Sequence, residues 1–364
     1  MDTKGAAAIG RIGAGFPPSP WGAALAAIRI RPLLAWTALL LGALPLAAAT
    51  RPRYGGTLRV EIHDSLDAPD TPLAARRFAS LAPGFTLQGW EPGRRAYFAA
   101  DDRAAGGRPF LDGVEIQMAR PAREQAIDFG LGKADVVESG GEGRPAAAGR
   151  RTWPSEPVRV VALVFQARVD PRLREALALA VDRMAIYNVL LQRQGEISGA
   201  LLPQWLSGYA FLFATTADLA RARALAAALP ANARRITLAI DDPADQPMAE
   251  RISLNARDAG LTVALGPKTP DVEARLADTR VVSTDANAAL KALAAAMDLP
   301  EPSHADSTGA LYAAEAALLD GFRAVPLFHL PDVYGAAARV QGGPGIGPLG
   351  EWRFQDLWIE GAQP

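Results

Sequence analysis

The sequence predicts an α/β fold of mixed sheets flanked by helices, and three observations carry that expectation. ITLAIDD from Ile236, DQPMAERISLNARDAG and LTVAL follow one another directly. That strand–helix–strand order implies two parallel strands around a crossover helix. VRVVALVFQA from Val158 is almost wholly apolar, as a strand buried on both faces must be. The stretch from Val169 to Glu196 then repeats its apolar residues at the spacing of one helical face.

The elements follow in order. Arg29 and Arg31 precede the apolar run LLAWTALLLGALPLAAAT, and Ala47, Ala48 and Ala49 supply small residues for cleavage. This pattern predicts an export signal over residues 1–49. A retained anchor helix is the alternative, although the run lies near the lower limit of about 20 residues for crossing a bilayer. Cleavage would remove Lys4, Arg11, Arg29 and Arg31 against Asp2 and leave a mildly acidic chain. RYGGTLRVEIH alternates Leu58, Val60 and Ile62 with polar neighbours, as a half-buried strand does. DSLDAPDTP is turn chemistry. GFTLQGWEPGRRAYFAA predicts a hairpin around its EPG turn, GVEIQM another strand, ARPAREQAIDFGLG a helix, and ADVVES the strand leaving it. SGGEGRPAAAGRR from Ser139 has the composition of a surface loop.

After the buried strand, Asp170 is placed to cap a helix and Pro171 fits its first position. Leu173, Leu177, Ala180, Met184, Tyr187 and Leu191 define one apolar face of a single helix, and Gly195 suits its end. Full burial of Leu173, Leu177 and Leu191 would contribute ~1.5–3 kcal/mol each. LLPQWLSGYAFLF is an aromatic loop, and TADLARARALAAALP a helix capped by Asp218 or Thr216. The alanine-rich stretch from Asp271 to Pro302 reads as mostly helical. TGALYAAEAALLDGFRAVPLFHL gives a helix closing at Gly321 and a short strand, and EWRFQDLWIE a strand or edge segment.

Composition narrows the function. An apolar fraction of 49% is that of a folded chain, and a net charge of −1 argues for neither nucleic acid nor an anionic membrane as a partner. No cysteine is present, which excludes disulfides, thiolate metal sites and a lipid-modified N-terminal cysteine. His63, His304 and His329 lack metal-ligand spacing; His329 in PLFHLP reads as a hydrogen-bonded core histidine. Gly345, Gly347 and Gly350 satisfy a G-x-G-x-x-G pattern, but Pro344 and Pro348 interrupt it and no helix follows, so it reads as a loop. Asp241 and Asp242 end a strand, where turn or capping roles are expected. No pattern supports catalysis, and neither a cofactor nor a metal is expected.

The pieces together resemble a known family. DPRLREALALAVDRMAIYNVLLQRQGE, with Arg174 before Ala176-Leu177, then the Asp182-Arg183 pair and Gly195, is similar to a segment of the family 5 extracellular solute-binding proteins. These are the peptide, dipeptide and nickel receptors of ABC importers. RYGGTLRV, the GFTLQGWEPG hairpin, AREQAIDFGLGKADVVE, ITLAIDD and AVPLFHLPDVYGAAARV fall in the family's order. Two departures stand out. Only DTPLAARRFASLAP fills an interval where the family has a further domain. The family's aromatic and acidic ligand segment corresponds to ADTRVVSTDANAALKALAAAM, with Asp285 its nearest acid.

The resemblance implies a two-lobed, periplasmic-binding-protein-like clamshell with its ligand in the cleft. Lobe I would comprise residues 50–168 and 335–364, and lobe II residues 169–334. The chain would be a monomeric periplasmic receptor, exported and not a lipoprotein. It would bind a peptide or other small solute and deliver it to a membrane permease; it would be neither an enzyme nor a nucleic-acid binder. The alternative is a non-transporting interaction protein on the same scaffold. Candidate ligand contacts are Ser65 and Asp67 in the first loop, Trp205, Tyr209 and Asp285.

Overall fold

The computed structural model describes residues 51–71, 74, 77–138, 151–209, 212, 214–270 and 272–361. The expected export signal and the loop from Ser139 to Arg150 lie outside them.

β1 (Thr57–Glu61) buries Leu58 and Val60, and Ile62 beyond it, as the alternation predicts. β2 (Phe85–Glu91) and β3 (Arg95–Ala100) form the expected hairpin, turning where Arg94 N–H donates to the Glu91 carbonyl. β4 (Gly113–Gln117), α1 (Ala122–Gly130) and β5 (Val136–Glu138) follow as read from the sequence. β1 pairs in parallel with both β4 and β5. Only Ile62–Gly84 separates β1 from β2, so that interval holds no further domain.

β6 (Arg151–Phe165) is longer than the strand expected, beginning at Arg151 rather than Val158. Its apolar half is buried on both faces in a literal sense. Val161, Leu163 and Phe165 enter one core, and Val158, Val160, Ala162 and Val164 enter another on the opposite side. A residue period of two divides one apolar run between two layers.

The next stretch is not one helix. α2 (Pro171–Ala180) starts as predicted, with the Asp170 side chain accepting from Arg172 N–H and Pro171 in the first turn. It stops at Val181, whose backbone is extended. Asp182 then caps a second helix, α3 (Arg183–Val189), by accepting from Ala185 N–H at 2.9 Å. The break turns Arg183 into the core, where it donates to the carbonyls of Thr215 and Pro326. It also rotates Met184 outward, to 58% exposure. The predicted single helix therefore ends at Ala180, because an aspartate able to cap competes with helix continuation, while Tyr187 and Leu191 beyond the break still pack against the same core as Leu173 and Leu177. Gly195 does not end this helix either. With φ +77°, it lies against the later strand through His329 and Leu330, where a Cβ would stand 2.4 Å from the His329 carbonyl oxygen.

β7 (Glu196–Ile197), α4 (Gln204–Ser207) and α5 (Leu219–Ala227) lead to β8 (Arg235–Ile240), α6 (Gln246–Asp258) and β9 (Thr262–Leu265). The last three form the predicted parallel crossover unit. α4 lies within the stretch read as an aromatic loop, and Asp218 caps α5. The alanine-rich stretch is part strand. β10 (Ala274–Arg280) runs antiparallel to β6 and parallel to β8, ahead of α7 (Ala286–Ala296). Its pattern escaped notice because small Ala274 and Ala277 do the packing and charged Asp278 and Arg280 fill positions at its end. α8 (Thr308–Leu319) precedes β11 (Ala324–Ala336), far longer than the short strand expected; β12 (Val340–Gln341) pairs with β13 (Trp358–Ile359).

Among the described residues, eleven strands form one mixed sheet in the order β2-β3-β4-β1-β5-β11-β6-β10-β8-β9, with β7 on β11. One core gathers β1–β4 and the tail around Trp352 and Phe354. The other two sandwich β6, β10 and β11: α2, α3, α5 and α6 cover one face, α7 and α8 the other. The long antiparallel pair β6–β11 belongs to both regions. Its register slips at Leu330/Pro331 and Pro331/Val333, opposite Pro154 and Pro157, as proline without a donor N–H requires.

The helix break makes a testable distinction. Asp182→Ala should cost about 1 kcal/mol through loss of the cap, whereas Met184→Ala should change stability by less than about 0.5 kcal/mol. Urea denaturation of both variants checks this. A loss of roughly 2–5 kcal/mol for Met184→Ala would restore a buried face and a continuous helix.

Candidate functional site

A cavity of about 660 Å³ opens where the regions meet. Its walls are the residues just past the carboxyl ends of strands. Asp64 follows β1, Asp241 and Asp242 follow β8, and Asp278 to Val282 end β10. Carboxyl-end crevices are where open α/β sheets bind ligands. Arg159 from β6, Asp332 and Tyr334 from β11, Arg77, and the tail loop Leu349–Trp352 complete the lining.

Charge dominates this lining. Asp278 grips Arg159 through both carboxylate oxygens. Burial opposes the charge on Arg159, but Asp278 outweighs it and holds the guanidinium above the usual arginine range. Asp332 likewise binds Arg280 with two hydrogen bonds, one of 2.9 Å. Such bidentate pairs fix both side chains in position. Arg77 reaches Asp64 at 3.3 Å and pairs with Glu138, and it lies 5.6 Å over the Trp352 ring. Asp241 is taken by Arg275 at 2.6 Å and Lys268 at 2.7 Å.

Behind this wall sits Asp245, 6% exposed, at the end of the single 3₁₀ turn Pro243–Asp245. Its Oδ2 has no hydrogen-bond partner. Burial first, and the nearby Asp278 second, push its carboxyl up to about 7. Gly350 shows how closely the tail loop lies on the site. Its φ is +80°, and a Cβ there would stand 2.3 Å from Asp332 Oδ2 and 2.9 Å from Arg280 Nη2. The glycine-rich motif is thus a loop, as read, and its last glycine covers the Arg280–Asp332 pair.

None of the five predicted contacts lines this cavity. Ser65 and Asp67 are exposed beside Asp64, with the Asp67 carbonyl accepting from Trp90 Nε1 at 3.1 Å. Trp205 Nε1 donates to the Pro157 carbonyl at the β6–β11 crossing. Tyr209 Oη donates to buried Glu315 at 2.6 Å, and Glu315 also accepts from Leu201 and Leu202 N–H. Asp285 is exposed and caps α7 through Ala288 N–H. The residues that converge instead are Arg159, Asp242, Asp278, Arg280 and Asp332. Two signals could have found them: the Asp241-Asp242 pair at a strand's carboxyl end, and charges inside a strand otherwise made of small residues. His329 is a core histidine, hydrogen-bonded to the Leu201 carbonyl. Burial lowers its pKa to about 4. Among the described residues, no three acids or histidines are grouped to hold a metal ion.

This arrangement, an α/β sheet with a polar cavity at its strand ends, is the frame of a two-lobed periplasmic binding protein, and solved structures of that fold resemble it. An ABC transporter substrate-binding protein, CtaP from Listeria monocytogenes, aligns with TM-score 0.63 and 14% identity over 76% of this chain and 66% of its own. The oligopeptide-binding protein AppA from Bacillus subtilis, solved with a nonapeptide, gives 0.60 and 14% over the same shares. DppA from Helicobacter pylori, solved with the peptide STSA, gives 0.63 and 16% over 76% and 62%. The chain therefore spans less than two thirds of each of these relatives. No curated protein sequence matches it. The family model for bacterial extracellular solute-binding proteins, family 5, middle region, matches residues 83–305, more than half of the chain, and the protein belongs to that family.

Asp245 supplies a pH test. Its pKa is raised on folding, so the folded state holds its proton longer than the unfolded state. Its contribution to stability is then full below about pH 4 and is lost as pH rises to about 7, a change of roughly 2–4 kcal/mol. Asp245→Asn should remove that part of the decline, seen by denaturation between pH 4 and 8. Parallel pH profiles for variant and parent would show that the carboxyl is not perturbed.

Proposed function

We propose that the protein is the receptor of an ABC-type importer, working outside the cytoplasmic membrane. It would take a peptide or other small solute into the cavity and pass it to a permease. The observation that carries this reading is the cavity's double parentage. Asp64, Arg77 and Trp352 belong to the region of the first core, while Asp242, Asp278 and Arg280 belong to the sheet between the other two. A solute touching both walls favours their approach over their separation, which is all that ligand-driven closure requires.

On this reading β6 and β11 are the hinge, and lobes I and II divide near Ser155–Val158 and Leu330–Asp332. The crossing is held by few ladder bonds. Asp332 N–H donates to Ser155 Oγ, and Glu156 N–H to the Pro348 carbonyl. Prolines and loop contacts there support bending more readily than a regular ladder. About 660 Å³ is the size of a small-molecule site. It suits a compact solute, and the charged walls favour a polar one, since an apolar group would strip water from ions without replacing it.

One observation favours the alternative of a non-transporting interaction protein: Arg159, Arg280 and Arg77 are each already paired with carboxylates of the chain.

The two readings part in a thermal-shift screen of short peptides, amino acids and small polar solutes. A receptor should gain about 2.7 kcal/mol of apparent stability at a hundredfold excess of ligand over Kd. If no solute shifts the melting temperature while crosslinking recovers a stable protein partner, the receptor reading is wrong.

A further inference from the structure

The tail loop over the cavity is rooted in one region and ends in the other. Ile346 and Trp352 face each other across a single antiparallel bridge, and both side chains are buried in the first core. Trp352 is fixed there. Its N–H donates to Ser80 Oγ at 3.0 Å, its ring stacks on Phe354, and Tyr334 meets it edge-on. The residues between, Gly347 to Glu351, project from that root as a finger. Hydrogen bonds within the finger stiffen it. Gly347 N–H donates to the Glu351 carbonyl at 2.7 Å, Gly350 N–H to the Gly347 carbonyl at 3.0 Å, and Leu349 N–H to Glu351 Oε2 at 2.8 Å. Tied in this way, the finger follows its root when the root moves.

The tip belongs elsewhere. Leu349 packs against the core beneath α7 and α8, the core that also holds Val281. Its carbonyl accepts from Arg280 Nη2 at 3.5 Å, and the Pro348 carbonyl accepts from Glu156 N–H at 3.2 Å. Leu349, Gly350 and Glu351 line the cavity from the finger, and Val281 and Val282 line it from the end of β10. Separating the two walls therefore pulls Leu349 out of a core to which its own root does not belong.

Two contacts cross here, and they respond differently to separation. Arg280 and Asp332 regain water as they part, so hydration nearly offsets the lost attraction. Leu349 has no such compensation, because apolar surface returned to water is a net cost. The leucine, more than the ion pair, sets the balance.

We propose that the tail finger is a latch: Leu349, inserted beneath α7 and α8, holds the cavity walls together in the chain without solute, and the cavity opens by withdrawing it. The latch concerns the empty chain, so it stands apart from the receptor reading.

The test is a distance between two spin labels in the full chain. No native cysteine is present, so two introduced ones are labelled alone. Asp67→Cys lies beyond Asp64 on one wall, and Ala244→Cys beside Pro243 on the other; both positions are exposed. Pulsed electron resonance without solute should give mainly one short distance. Leu349→Ala should lower the ratio of short to long distances roughly fivefold. Gly350→Ala should act in the same direction, because its Cβ would meet Asp332 Oδ2 and Arg280 Nη2 and lift the finger. Leu349→Met keeps the volume and should keep the parent distribution. Leu254→Ala removes a leucine of α6 that does not line the cavity, and should leave the distances as they are. The latch is overturned if Leu349→Ala and Gly350→Ala both keep the parent distances, or if the parent is already mostly long. It is equally overturned if Leu254→Ala lengthens the distances as much as Leu349→Ala, since the effect is then a general loss of stability.

Discussion

The antiparallel ladder between β6 and β11 is the constraint on which the rest depends. Both strands are long enough to serve three cores at once. Their inner halves lie at the centre of the sheet, where alternate side chains of β6 feed opposite hydrophobic layers. Their outer halves carry Trp153 and Tyr334 into the third core. Beyond this pairing, the regions on its two sides also meet through the Arg280–Asp332 ion pair and the tail loop at Leu349. Because one ladder holds both, the residues at its irregular middle determine where the cavity lies and which side chains face it.

That geometry also explains why so many charges survive in the interior. At the carboxyl ends of β1, β8 and β10 no further strand covers the sheet, so polar groups meet water on one side and partners on the other. Burying an ion pair gains little in stability, because desolvation offsets the attraction. The bidentate pairs Arg159–Asp278 and Arg280–Asp332 are better understood as fixing wall positions than as strengthening the fold. Gly350 belongs to the same arrangement: only a residue without Cβ lets the tail loop rest on the Arg280–Asp332 pair.

Much of the fold was legible because its signals were local. The alternation in TLRVE, the cap at Asp170, the crossover from Ile236 to Leu265 and the doubly buried VVALVF each state their structure in a few residues. The failures had non-local causes. The helix after Pro171 breaks because Asp182 finds Ala185 N–H while its own N–H finds Asn255, and the periodicity of the apolar residues continues across the break regardless. β10 was hidden because its partners, not its propensity, make it a strand. The five candidate contacts lie outside the cavity. Asp285, Trp205 and Tyr209 are residue types that ligand sites use, yet each is occupied with a cap, a crossing contact or Glu315. The residues that converge come from β6, β8, β10 and β11, distant in sequence, and only the sheet order brings them together.

Native-state hydrogen exchange, resolved along β6 and β11, tests most directly whether the crossing is the yielding point between two firm regions. The account predicts that the amides of Ser155, Glu156 and Asp332 exchange through openings far less costly than those of Val160–Phe165 and Tyr334–Ala336 on either side. Equal protection along the whole length of both strands would show one rigid body, and would contradict the idea of two walls that close on a solute.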